Sequence, residues 1–311
     1  MRILFLTRLY YPHFGGVEKH ALETSRRLVS KKNKLVVITE RFKDDLLVSE
    51  KINGVEVKRF WYPHVKFFGL FYIWLWLFMN RNLIKQSDIV HCHDVFIWYL
   101  PFRYLFTSKP VYTTFHGWEG IYPIPWKNIF IKRLAAKLST GNICVGHYVE
   151  KHYGIKADFV TYGAVETPKK IGLKVRNSYI FVGRLEKDTG LPYFLRFLKQ
   201  RGIRNVDFYG DGPLGEECKK YGKIHGWVDP TLFLSRAKTC FASGYLSALE
   251  TMVNKCRVMV GWDNPVKRDY WQMTPFYKWI EKGEVDQAYA WAKAQSWEKL
   301  TNIYLNLWKI K

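Results

Sequence analysis

The chain has 311 residues, of which 48% are hydrophobic and 17% aromatic, enough apolar surface for two ordinary cores and too much for a disordered or fibrous protein. Its 49 Lys and Arg against 27 Asp and Glu leave a formal charge of +22, which calls for an anionic partner: nucleic acid, an anionic membrane surface or a phosphorylated small molecule. The positive residues are scattered, without a helix-turn-helix pattern, an RNP-like strand or zinc-ligand spacing, which argues against nucleic acid, and five separated cysteines without a C-x-x-C pair fit a reducing compartment.

In chain order, the first half alternates apolar runs with helical patterns. Strands are expected at 3–7, 34–39, 55–61, 89–92, 110–115 and 142–145, and helices at 17–30 and 126–138, the alternation of a βαβ domain. Arg8 interrupts the first apolar run after five residues, so no secretory signal is expected and the protein is placed on the cytoplasmic side, free or peripheral on a membrane. Gly15 and Gly16, after the first strand, would let a phosphate approach the backbone at the positive end of the following helix. His91, Cys92, His93 and Asp94 suggest a metal site, but neighbours on a strand point to opposite faces, and no metal is expected.

The run 67–79 is uncharged, flanked by Lys66, Arg81 and Lys85, and holds Trp74 and Trp76. As a helix it would be about 20 Å long against about 30 Å for a bilayer core, too short to span. Two readings stay open: a helix lying in an anionic lipid interface, or one buried in the first domain. A basic, proline-bearing stretch without periodicity, 167–177, reads as a linker.

The second half repeats the alternation, with strands at 179–182, 206–209, 223–226, 239–242 and 257–260 and helices at 191–200, 214–221, 230–236 and 246–254. The strand-to-helix loops lie on the sheet edge where such folds bind ligands. Arg184, just after a strand, carries a guanidinium fork that matches a pyrophosphate at any relevant pH. Glu250, inside a helical pattern opened by Ser243 and Gly244, suits the paired hydroxyls of a ribose. Phosphate at one loop and ribose at the next imply a nucleotide.

These segments, Val182 to Gly190 and Ala242 to Glu250, resemble the two C-terminal signatures of retaining GT-B glycosyltransferases of the family 4 type. Ile3 to Thr7 with Gly15 and Gly16, Ile89 to Asp94, Thr113 to Gly117, and Ser296 to Glu298 resemble further landmarks of that family in the expected order. The resemblance implies an α/β GT-B fold of two Rossmann-like domains facing a crevice: an acceptor domain over 1–166, the linker, a donor domain over 178–290, and a closing helix over 291–311 that crosses back onto the first domain. It implies catalytic roles for His116, on the sugar side, and Arg184. Donor contacts follow from Gly15, Gly16, Arg184, Lys187, Ser243, Gly244, Tyr245 and Glu250, and a nucleobase pocket from Gly226, Trp227 and Val228.

The implied reaction moves a hexose, with retention and without metal or cofactor, from a UDP- or GDP-sugar to a glycan or lipid-linked acceptor at a membrane surface. Two positions depart from the family pattern. Thr189 stands where a clamp lysine is usual, leaving Lys187 as the nearest cation, and Ala242 stands where the first of two glutamates is usual. A non-catalytic nucleotide- or membrane-binding protein, or a nucleotide-sugar epimerase, are the alternatives.

Overall fold

The computed structural model describes residues 1–65, 68–175 and 178–309. Lys66 and Phe67 of the apolar run, Arg176 and Asn177 of the expected linker, and Ile310 and Lys311 of the expected closing segment lie outside the described residues.

The first sheet is built from β1 (Arg2–Thr7), α1 (Gly16–Ser30), β2 (Lys34–Glu40), β3 (Ser49–Ile52), β4 (Val55–Phe60), α2 (Phe68–Met79), α3 (Arg81–Gln86), β5 (Ile89–His93), α4 (Phe96–Leu105), β6 (Val111–Phe115), α5 (Trp126–Leu138), β7 (Gly141–Val145), α6 (His147–Tyr153) and β8 (Phe159–Thr161). Its strand order is β3-β4-β2-β1-β5-β6-β7-β8, parallel except for the β3–β4 pair. The central strands β1, β5, β6 and β7 are buried almost throughout, as parallel strands covered on both faces must be. Strand β3 was not expected from the sequence. Asn53 and Gly54, both at positive φ, form a two-residue turn that folds β3 back on β4, a hairpin signal present in the residues themselves.

The second sheet comprises β9 (Tyr179–Val182), α7 (Leu191–Arg201), β10 (Val206–Tyr209), α8 (Gly215–Cys218), β11 (Gly222–Gly226), α9 (Thr231–Arg236), β12 (Thr239–Ala242), α10 (Tyr245–Val253) and β13 (Arg257–Met259), in the all-parallel order β11-β10-β9-β12-β13. The helix expected over 214–221 is only one turn long. Its end is set by Gly222, which opens β11 so close to the Val206 carbonyl that no side chain would fit. Helices α11 (Pro265–Gln272), α12 (Tyr277–Lys282), α13 (Val285–Lys293) and α14 (Trp297–Leu307) follow.

Two packing arrangements hold the halves together. Helix α14, capped by the Ser296 hydroxyl accepting from the Lys299 amide at 3.1 Å, buries Trp297, Leu300, Tyr304 and Leu307 against Ile3, Phe5, Ala21 and Leu28 of the first sheet and α1. The Val165 amide donates to the Gln295 carbonyl at 2.8 Å where the chain returns. One buried cluster also runs from Val145, Tyr148 and Tyr162 of the first domain into Tyr245, Leu249, Trp271 and Phe276 of the second. The domains therefore share a core on this side and leave a cleft between their strand-end loops.

Helix α2, in the apolar run, has a buried face and an exposed one. Gly69, Ile73 and Leu77 are buried, Trp76 stacks on Phe60, and Trp74 donates to the Ile97 carbonyl at 2.9 Å. Phe68, Phe71, Leu75, Phe78 and Met79 remain exposed. No helix among the described residues is long and apolar enough to cross a membrane.

Truncating Leu300 to Ala should lower the unfolding free energy by about 2–5 kcal/mol, the usual range for a buried leucine. Urea unfolding followed by tryptophan fluorescence measures it, and a change below about 1 kcal/mol would mean that α14 is not part of the first domain's cooperative core.

Candidate active site

Each sheet reverses its strand order beside a central strand, β1 next to β5 and β9 next to β12, and the loops leaving these strands meet across the cleft. Gly16 lies against Leu246 at the start of α10, and Gly120, beyond β6, lies against Asp188 in the loop after β9. Lys19 of α1 forms an ion pair with Glu250 of α10. Burial alone would lower the Lys19 amine, but Glu250, Asp229 and Glu23 together raise it. Glu250, the expected ribose clasp, therefore sits in the cleft with a cation from the opposite domain on one of its oxygens.

On the first-domain wall, Gly15 caps α1 with extended backbone. The space a side chain would take at Gly15 is filled by the Glu18 carboxylate, whose other oxygen is 2.9 Å from His13 Nδ1. The N-terminal end of α1 is thus already faced by an anion, which a phosphate would have to displace.

His116 follows β6 and stands in front of three buried imidazoles, His20, His91 and His93. Their hydrogen bonds have one consistent direction. Trp308 Nε1–H donates to His91 Nδ1 at 3.1 Å, so His91 carries its proton on Nε2 and gives it to the Thr114 hydroxyl at 2.7 Å. Thr114 then donates to the Tyr304 hydroxyl, and Tyr304 to His20 Nε2, both at 2.9 Å. His93 Nδ1 and His116 Nε2 are 2.9 Å apart, while His93 Nε2 is buried without a partner. A buried orphan N–H costs more than an orphan lone pair, so His93 donates to His116 and leaves the His116 proton on Nδ1, the nitrogen with no protein partner among the described residues. Burial lowers His20 to about 3 and holds His91 and His93 well below the usual imidazole range, the neighbouring rings adding to it.

His91 and His93 share one face of β5 while Cys92 enters the core on the other, as strand geometry requires. No group of three or more ligating side chains able to hold a metal ion occurs among the described residues.

Asp94, at φ 60, accepts the His116 backbone amide at 3.1 Å and lies 4.0 Å from the buried Lys132 ammonium. Lys132 also meets Glu119 at 3.3 Å, and Glu119 accepts from the Tyr153 hydroxyl at 2.6 Å. Asp94 keeps about a third of its side-chain surface (32%) while being walled in by protein, a carboxylate on the floor of a cleft. Burial raises it to about 6, against Lys132 and the His116 amide, which lower it. Sequence reasoning named Asp94 only within a possible metal cluster and missed Lys19, Lys132 and Tyr304, whose partners are 13 to 284 positions away.

On the second-domain wall, Arg184 is half exposed and engages Glu186 and, at 2.7 Å, Asp188. Lys187 is exposed in a short turn, Lys187–Thr189. Ser243 packs its hydroxyl into the space left by Gly183. Gly244 donates its amide to the Ser247 hydroxyl at 3.1 Å, and the Tyr245 amide donates to the Tyr270 hydroxyl at 2.7 Å. The Tyr245 ring lies in the shared core, stacked on Tyr270 at 3.9 Å. Both amides of these expected donor-contact residues therefore already have partners, and the Tyr245 side chain faces away from the cleft. Gly226, at φ 70, turns the chain after β11, and Trp227 and Val228 are exposed beyond it. Asp229, next in line, is close enough to Lys19 to raise its amine, which places this segment on the same cleft as Glu250.

The model of Glycosyltransferase Family 4 matches residues 14–159, the part of the chain that carries Gly15, Gly16, the histidine cluster and His116. Over these residues the chain is similar to the family 4 glycosyltransferases, and as a whole it has the GT-B fold. A phosphatidylinositol N-acetylglucosaminyltransferase subunit of Saccharomyces cerevisiae is 32% identical over 99 residues, 29% of this chain and 21% of that one. Its counterpart in Arabidopsis thaliana, also a phosphatidylinositol N-acetylglucosaminyltransferase component, is 23% identical over 279 residues, 79% of this chain and 61% of that one. The matches thus span about a fifth to three fifths of these relatives' own length. Among solved structures, a sucrose-phosphate synthase from Thermosynechococcus elongatus superimposes with a TM-score of 0.71 at 11% identity, covering 99% of this chain and 98% of that one. Anabaena HepE, solved with UDP and glucose, gives a TM-score of 0.69 at 11% identity, covering 99% of each chain. At these identities the structural likeness speaks for the GT-B fold alone.

The neutral imidazoles of this protein make it acid-sensitive. Below about pH 6.5 the unfolded chain binds a proton at each of His20, His91 and His93 and the folded chain does not, so stability rises with pH up to that value and falls below it. The three together contribute up to about 4 kcal/mol per pH unit in that window. Melting temperatures from pH 7.5 to 5.0 should show a shallower decline for His91→Gln than for the wild type; equal slopes would mean that His91 is protonated in the fold.

Proposed function

We propose that this chain is a retaining glycosyltransferase that moves a hexose from a UDP- or GDP-linked donor to a lipid-linked or glycan acceptor at an anionic membrane surface. The observation that carries the reading is the convergence of the β1, β6, β9 and β12 loops on one cleft, with Lys19 on Glu250 and Gly120 on Asp188 as its points of closure. The neighbouring structure bound to UDP and glucose supports a nucleotide-sugar donor, and the phosphatidylinositol-directed relatives support a lipid-linked acceptor.

In this reading the bond between the anomeric carbon and the diphosphate oxygen breaks as the acceptor hydroxyl attacks from the same face and gives its proton to the departing diphosphate oxygen. Negative charge builds on the departing diphosphate, and Arg184, released from Asp188 and Glu186, meets it with a bidentate fork. Lys187 and the α1 terminus at Gly15 and Gly16 add further positive potential once the Glu18 carboxylate moves aside. Glu250 exchanges Lys19 for the ribose hydroxyls, and Gly226 to Val228 line the base. His116, with its proton on Nδ1, donates to a hydroxyl of the transferred sugar. Ser243, next to Gly183, and the Gly244 and Tyr245 amides approach that sugar only if the latter two leave Ser247 and Tyr270.

For the membrane, α2 packs on α4 and α4 on α5, so the exposed Phe71, Phe78, Leu105, Trp126 and Phe130 belong to neighbouring helices of one layer. Aromatic rings on a strongly basic protein suit the lipid interface.

Incubation with UDP-, GDP- and ADP-sugars, followed by calorimetry and by release of free nucleotide, tests the transferase reading. Release from one UDP- or GDP-sugar is expected, and Glu250→Gln should weaken binding of that nucleotide about tenfold or more, the loss of a charged hydrogen bond. Binding without turnover, even with membrane extract as acceptor, would instead favour the non-catalytic alternative, in which the fully buried Ala242 marks the lost carboxylate.

Membrane attachment is tested by sedimentation with phosphatidylcholine vesicles with and without phosphatidylserine. The protein should pellet with anionic vesicles at low salt, and the pair Phe71→Glu and Phe78→Glu should abolish it. Those exposed positions are the informative ones, because Trp74 is tied to Ile97 and its loss would also disturb packing. Equal recovery of wild type and variant with the vesicles would remove α2 from the interface.

A further inference from the structure

Resting on the nucleotide-diphosphate reading above, we propose that Lys267 is the second cation of the diphosphate clamp, standing in for the lysine that Thr189 replaces. Thr189 itself is buried and spends its hydroxyl on the Glu186 carbonyl at 2.7 Å, so that position is closed to a ligand. Lys187 lies on the outside of the turn, exposed. Lys267 reaches the same place from another direction. It sits in the first turn of α11, its amide held by the Asn264 side chain at 2.9 Å, and its side chain is only 5% exposed.

The Lys267 ammonium donates to the Ser243 carbonyl at 2.8 Å and lies over the faces of Tyr270 at 4.3 Å and Trp271 at 5.5 Å. It makes no ion pair among the described residues. Ser243 in turn fills the space beside Gly183, the residue before Arg184. Lys267, Ser243, Gly183 and Arg184 are thus a contiguous set at the ends of β9 and β12. A buried ammonium has three donors, and one is used. Burial pulls this amine down to about 8, Asp188 opposes that and Arg184 adds to it. Two cations stand side by side, Arg184 paired with Glu186 and Asp188 and Lys267 paired with no carboxylate among the described residues, and an incoming anion of more than one charge engages both by drawing Arg184 from its partners. A nucleoside diphosphate has that charge. A sequence scan misses Lys267 because it lies 78 positions beyond Thr189, in a helix with no signature of its own.

The test compares UDP, GDP, uridine and guanosine as calorimetric ligands for the wild type, Lys267→Met and Lys267→Arg. Lys267→Met should weaken the bound diphosphate at least tenfold and its nucleoside less than twofold, and Lys267→Arg should recover part of the loss. At pH 8.5, where the free amine is mostly neutral, diphosphate binding should take up a proton in the wild type, read from the dependence of the heat on buffer ionisation enthalpy, and none in Lys267→Met. Diphosphate affinity unchanged in Lys267→Met, an equal loss for diphosphate and nucleoside, or the same proton uptake in both proteins would overturn the proposal alone. Failure of the wild type to bind either diphosphate would overturn the underlying reading and this one with it.

Discussion

The cleft depends on the aromatic joint behind it. Tyr245, the first residue of α10, stacks on Tyr270 of α11 at 3.9 Å, gives its hydroxyl proton to the Tyr270 carbonyl at 2.6 Å, and packs against Tyr162 and Gly146 of the first domain. Two large rings with satisfied hydroxyls combine apolar burial with directional bonds, which fixes an angle as well as a contact. Since α10 also carries Glu250 and α11 carries Lys267, the joint that unites the domains sets where both groups stand. The cost falls on chemistry: the Tyr245 amide, at the start of a helix and so a natural ligand donor, is committed to Tyr270.

Charge is distributed around this frame in an uneven way. The protein as a whole is strongly basic, yet its cleft is threaded with carboxylates, Glu18 on the α1 terminus, Glu250 on Lys19, and Asp188 and Glu186 on Arg184. Each occupies a position where an anionic or hydroxyl-bearing ligand is expected, so the ligand-free cleft is held by internal pairs that a ligand exchanges for its own. Such exchange conserves much of the electrostatic energy and leaves binding to be decided by geometry. Lys267 is the exception, a buried cation with no carboxylate in contact among the described residues.

The histidine cluster shows the same economy in the first domain. Trp308 and Tyr304, from the last helix, orient His91 and His20 through Thr114, and His93 orients His116 at the cleft. The helix that crosses back is therefore part of the wall behind the site as well as a packing element. Asp94, tied to the His116 amide, completes that wall with a carboxyl raised to about 6.

Most strands, the long helices, the positions of Arg184 and His116 on strand-end loops and that of Glu250 in the helix after such a loop were legible in the sequence, because period and turn chemistry are local properties. The short hairpin strand β3 is signalled too, by Asn53 and Gly54, but it is the one antiparallel pair in an otherwise parallel alternation. What the residues did not reveal is which of these groups meet. The Lys19–Glu250 pair spans 231 positions, and the Thr114–Tyr304 bond spans 190. The two faces of α2 were equally hidden, since a run apolar on every side has no period to show which side is buried. By itself the sequence determined two α/β sheets with ligand loops at their strand ends; only the tertiary structure decided which loops face each other and which amides, carboxylates and ammonium groups are still open to a ligand, because those depend on packing between segments whose separation along the chain carries no local signal.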